Sequence, residues 1–132
     1  MSQHVAHLIA AIDRKDADGI RAAYAPGARL VAMTPNTFQL HEGVDAVAAK
    51  LAEWFTTWEE APAYSFLSTI ESGERVVVEF ERTSTYEGVP WVVRQAHVLT
   101  LGPEGIEDHR MYCCGPRAGE PELGAAYAEV GR

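Results

Sequence analysis

Apolar residues open the chain with a helical period. Val5, Leu8, Ile9 and Ile12 fall at i, i+3, i+4 and i+7, which lays one stripe along a helix. Asp16 stands where an N-cap is needed for a second, shorter helix through Tyr24, with Ile20 and Tyr24 four apart. Pro26-Gly27 stops that helix, Ala28 to Met33 reads as a short strand, and Thr34-Pro35-Asn36 is a turn. The clearest helix runs from about Gly43 to Glu60. Val44, Val47, Leu51, Trp54, Phe55 and Trp58 share one face, Asp45, Lys50, Glu53 and Glu59 share the other, and Pro62 ends it. Beyond it the period changes to two. Tyr64–Glu71, Arg75–Tyr86, Trp91–Leu101 and Ile106–Cys114 are strand candidates, joined at Ser72-Gly73, Glu87-Gly88 and Gly102–Gly105.

The order is helix, helix, short strand, long helix, then four strands in hairpins. Segregated helices and strands are the α+β pattern. A curved antiparallel sheet wrapped around the long helix, with two N-terminal helices, would enclose a conical space. Residues 1–114 make one such domain. From Gly115 the composition shifts to Gly115, Pro116, Gly119, Pro121 and Gly124, a Gly/Pro-rich tail over 115–132 with a possible short helix from Leu123 to Val130.

Composition removes several classes. The 132 residues are 47% hydrophobic, too apolar for disorder, and no apolar run approaches the roughly 20 residues of a membrane helix. Lys plus Arg number 11 against 19 Asp plus Glu, a net charge of -8, which argues against nucleic acid as a partner. Cys113 and Cys114 are adjacent and make no ordinary loop-closing disulfide. The N-terminal residues lack the basic-then-apolar pattern of a signal peptide, so a cytoplasmic location is expected.

Three stretches carry a family resemblance. Ile20-Arg21-Ala22-Ala23-Tyr24-Ala25-Pro26-Gly27-Ala28 is similar to a helix-to-strand corner. Glu42-Gly43-Val44-Asp45-Ala46-Val47 resembles the start of a long helix. His97–Leu101 followed by Gly105–Tyr112 looks like a last hairpin. Their order and spacing resemble the nuclear transport factor 2-like superfamily, the cystatin-like cone, which includes SnoaL-like polyketide cyclases, ketosteroid isomerase, scytalone dehydratase and limonene epoxide hydrolase. The resemblance spans roughly residues 3 to 114 and implies the fold, while activity must come from the site. By the corner motif, the isomerase's hydrogen-bonding tyrosine falls near Leu8, its general base near Ala32 and its neutral aspartate near His97. The epoxide hydrolase's carboxylate falls near Met111. Neither of those two chemistries is expected. On the last strand the family points alternate residues inward, here His109, Met111 and Cys113. Scytalone dehydratase uses two cavity histidines and is the nearest chemical analogy.

His97 and His109 are therefore the sharpest pair, on strands joined by a tight hairpin. Histidine titrates near neutrality and serves as acid or base. Asp108 faces away from His109 by alternation. Tyr24 sits at the corner and can donate to a substrate oxygen. Trp54 and Trp58 form an apolar wall, Arg82 shares a strand face with Val76, Val78 and Phe80 and orients a substrate oxygen, and Gln95 neighbours His97. Two histidines with no defined third ligand do not make a metal site, and no phosphate loop, dinucleotide fingerprint or Ser-His-Asp spacing is present. No cofactor is expected.

The pattern implies a cofactor-free acid–base enzyme of the isomerase, cyclase or dehydratase (lyase) class, acting on a small, mostly apolar carbonyl compound in the cone. Its pH–rate profile should show a limb near neutrality. The alternative is a non-catalytic ligand-binding or dimerisation module. A homodimer would form through the outer sheet face, expected to present Val92, Arg94, Val98, Thr100, Val77, Glu79 and Glu81, mixed rather than greasy. A few hundred Å3 of open pocket would favour the enzyme, and a filled interior the module.

Overall fold

The structure is a computed structural model, and it describes residues 2–35, 37–56, 63–86, 88–115 and 117–118. Helices α1 (Gln3–Asp13) and α2 (Ala17–Ala22) lead into strands β1 (Tyr24–Thr34) and β2 (Thr37–Glu42). Helix α3 (Val44–Thr56) follows, then β3 (Ala63–Ser72), β4 (Arg75–Tyr86), β5 (Val89–Gly102), β6 (Gly105–Cys113) and β7 (Arg117–Ala118). The strands form one curved, unclosed sheet in the order β2-β1-β6-β5-β4-β3, with β7 added against β5. The chain is an α+β cone of the expected class.

Local chemistry explains most of the elements. The Asp16 carboxylate accepts the Gly19 N–H at 2.9 Å and caps α2, as the sequence predicts. The helix ends at Ala22 rather than at Tyr24, because Pro26 has no N–H for the Ala22 carbonyl and steers Ala25 toward extended backbone. Tyr24 instead opens β1. Pro26-Gly27 lies inside that strand, within a register shift between Tyr24 and Arg29, where a missing N–H is tolerated. β2 escapes the sequence reading because it is an edge strand whose apolar residues, Phe38 and Leu40, stay exposed. Gly43, at φ +88°, turns β2 into α3 and donates its N–H to Ala28.

The sheet is antiparallel except at β1–β6, which pair in parallel. No hairpin joins those two strands, so nothing forces them antiparallel. Gly105 makes their approach possible. It sits at φ +138°, and a Cβ there would meet the Ala23 carbonyl oxygen at 2.8 Å and the Ala25 nitrogen at 2.9 Å. The core fills the concave side. Val5, Leu8 and Ile12 of α1 and Val47, Leu51 and Phe55 of α3 pack on Leu30, Val76, Val78, Phe80, Leu99 and Ile106.

Candidate functional site: a buried tyrosine–histidine–histidine chain

Two strands place both histidines. The β4–β5 pairing runs without a shift, with Val78 opposite His97, Phe80 opposite Gln95 and Arg82 opposite Val93. Opposed residues share a face, so His97, Gln95 and Arg82 join the buried Val78 and Phe80 on the concave side. On β6 strict alternation would send either Ile106 or His109 outward. The β5–β6 register instead shifts between Thr100 and Leu101, which leaves Glu107 as a bulged residue and turns both Ile106 and His109 inward.

The result is one hydrogen-bonded chain through the cone. Tyr24 Oη lies 2.7 Å from His109 Nδ1, His109 Nε2 lies 2.7 Å from His97 Nδ1, and His97 Nε2 lies 2.8 Å from Gln95 Oε1. Gln95 Nε2 then donates to Cys113 Sγ at 3.5 Å, and the Gly115 N–H donates to the same sulfur at 3.3 Å. His109 is 1% exposed, and Tyr24 and His97 are also buried. Aromatic rings enclose His97: Phe80 meets it edge-on at 5.5 Å between centroids, and Phe55 lies at 6.5 Å.

Burial sets the charge of every member. It lowers the His97 imidazole to about 4, and lowers His109 well below the ordinary histidine value, with repulsion from His97 adding to the effect. Burial also raises the Tyr24 hydroxyl far above the usual phenol value. At neutral pH the chain is a row of uncharged, mutually satisfied groups.

The other candidates are placed differently. Met111 is buried opposite His97 on the concave face, and Cys113 is the sulfur at the end of the chain. Arg82 is buried on that face, one register step beyond Gln95. Trp54 lies on the flank of α3. It flanks the core half-buried, with Lys50 Nζ 5.2 Å above its ring, because the stripe Val47–Leu51–Phe55 is the side of α3 that faces the sheet. Trp58 lies outside the described residues. Phe55, Phe66 and Phe80 form the aromatic surroundings that the sequence reading did not single out; the i, i+4 spacing of Leu51 and Phe55 was the available signal. Leu8 and Ala32, the positions matched to the isomerase's tyrosine and general base, are plain core.

Two spaces border this arrangement. Beside the histidines the described residues enclose an apolar cavity of about 20 Å3 under α1. On the other side of the sheet an open groove of about 570 Å3 runs over Met33, Tyr112, Arg94 and Ala96 and touches Gln95 and Cys113. Among the described residues no group of three or more His, Cys, Asp or Glu is placed to hold a metal, and no helix is long and apolar enough to cross a membrane.

The sequence profile of the SnoaL-like domain matches residues 5–109, most of the chain. The chain belongs to the SnoaL-like domain family. No curated protein matches it by sequence. Solved structures do. A protein of unknown function from Burkholderia pseudomallei with an NTF2-like fold is 27% identical, with a TM-score of 0.69 over 85% of this chain and 91% of that one. A Catenulispora acidiphila protein with a ketosteroid isomerase-like fold, solved with trimethylamine, is 16% identical, with a TM-score of 0.68 over 85% of both chains. A Sinorhizobium meliloti protein assigned only provisionally as a polyketide cyclase is 17% identical, with a TM-score of 0.66 over 85% of this chain and 95% of that one. At these two lower identities the likeness is one of fold, and a shared fold does not fix the chemistry of the site.

Proposed function

We propose that this SnoaL-like protein is a cofactor-free acid–base enzyme of the isomerase, cyclase or dehydratase class, acting on a small, mostly apolar carbonyl compound. One observation carries the proposal: three titratable side chains stand in a row of short hydrogen bonds inside an apolar cone. Leucine and phenylalanine at these positions would fill such a core without desolvating polar groups. His97 is the principal acid or base and His109 its partner. Tyr24 fixes His109, Gln95 contacts His97, and Arg82 lies near enough along the concave face to hold a substrate oxygen. Met111 and Cys113 line the β6 side.

The reading makes a kinetic prediction. Exchange of α-protons of small cyclic ketones in D2O, followed by NMR, should proceed faster with the protein than in buffer. His97→Ala should lower the rate about 100-fold, the scale of a lost general acid or base. With His97 held near 4, the acid limb should lie near that pH and not near neutrality as the sequence suggests. The absence of accelerated exchange with every ketone, together with no ligand-induced change in the histidine resonances, would overturn the enzyme reading.

A second reading has its own support. A cavity of about 20 Å3 admits at most one water, so the described interior favours a module that binds through its surface. The outer sheet face suits that role better than expected. Among the described residues the five exposed large apolar side chains lie there: Phe38 pairs with Met33, Met33 with Tyr112, Leu40 with Val31, and Ile70 with Val77. The β4 and β5 part of this face is mixed, and the apolar residues of its other strands change its character. Glu81, expected to be solvated there, is buried and bonded to Arg94 at 2.8 Å. A face this apolar fits a second copy of the chain. Sedimentation should show a dimer that Met33→Glu with Tyr112→Glu converts to a folded monomer. A wild-type monomer at the highest soluble concentration would remove the dimer.

A further inference from the structure

The tyrosine–histidine–histidine chain has a direction. We propose that Gln95 is the positioning residue that sets it, holding both histidines as Nε2–H tautomers and making Tyr24 the terminal donor, a role whose catalytic meaning rests on the acid–base reading above.

The assignment follows from counting protons. Gln95 Oε1, an oxygen that only accepts, faces His97 Nε2 at 2.8 Å, so His97 Nε2 carries the proton. A neutral imidazole has one N–H, so His97 Nδ1 is a bare lone pair and accepts from His109 Nε2–H at 2.7 Å. By the same count His109 Nδ1 is bare and accepts the Tyr24 O–H at 2.7 Å. Each link fixes the next, and no nitrogen in the row is left without a partner.

The opposite order is possible in principle. Turning the Gln95 amide over presents its N–H to His97, moves the proton of each imidazole to Nδ1 and makes Tyr24 Oη an acceptor from His109. The tyrosine end opposes this. The reversed Tyr24 O–H would need a new acceptor, and its only hydrogen-bond partner among the described residues is His109. At the other end Cys113 Sγ accepts the Gly115 N–H and the Gln95 Nε2–H, and its S–H could equally donate to a turned amide oxygen, so the choice rests on the tyrosine. The buried hydroxyl therefore favours one orientation of the amide, and the amide orders the protons of two rings. Charging one imidazole would break the count, and burial opposes that charge.

Imidazole nitrogen NMR tests this without any substrate. In protein labelled with 15N-histidine, at neutral pH, His97 and His109 should each show a protonated Nε2 and a bare Nδ1. In Gln95→Leu, where no oxygen accepts from His97, both rings should lose the single tautomer. A proton on Nδ1 of either ring in the wild type would overturn the proposal, as would unchanged tautomers in a folded Gln95→Leu. If that variant does not fold, the wild-type spectrum decides alone. Fixed tautomers in a protein without exchange activity would keep the ordering role and sink the acid–base reading. Mixed tautomers in an active protein would do the reverse.

Discussion

Replacing His109 with leucine is expected to lower the stability of the fold by about 3–5 kcal/mol. The ring is 1% exposed and both of its nitrogens are bonded. Leucine roughly fills the space, so the cavity contribution is small. The loss comes from the two groups left behind, the Tyr24 hydroxyl and His97 Nδ1, each buried without a partner at about 1–3 kcal/mol. Adding Tyr24→Phe removes one of those orphans and should return about 1–2 kcal/mol, so the double variant should be more stable than His109→Leu alone. Urea denaturation of the four proteins measures the coupling. Strictly additive losses would mean that Tyr24 and His109 do not share a bond that matters.

Acid should unfold the protein early, and the sign follows from the same burial. In the unfolded chain both imidazoles take up a proton near 6.5, whereas in the fold His97 does so only near 4 and burial holds His109 well below its ordinary value. Between those values the unfolded state binds more protons, so acidification favours it. Stability held above 6.5 is lost toward 4 at up to about 1.4 kcal/mol per pH unit for each histidine. Tyr24 acts at the other end. Its hydroxyl stays protonated in the fold above 10.0, so stability also falls as the pH rises past that value. The urea midpoint should therefore hold between about pH 7 and about pH 10 and drop on either side. A midpoint that does not move between about pH 7 and about pH 5 would show that the histidines are not buried neutral. His109→Leu should remove part of the acid slope and leave that of His97.

The helices and the four long strands were legible because each is set by neighbours in sequence. The stripe Val5–Leu8–Ile12, the Asp16 cap and the alternation of Val76, Val78 and Phe80 all work over a few residues. β2 was not, since an exposed edge strand lacks the apolar alternation of a half-buried one. Within the site, the inward facing of His97 and Gln95 could be read from strand parity. That of His109 could not be read from parity alone, because a bulge at Glu107 resets the count.

By itself, then, the sequence determined an α+β cone with two histidines, a tyrosine and a glutamine near its concave face, because periodicity is a local property of the chain. Only the tertiary structure decided that these side chains form one row. The row depends on β1 lying parallel to β6, a pairing between residues 79 to 82 apart for which no hairpin sets the register. It also depends on the enclosure of His97 by Phe55 and Phe80, which strips water from the rings. Desolvation belongs to the packed whole, so the neutral state of the histidines could not be read from their spacing.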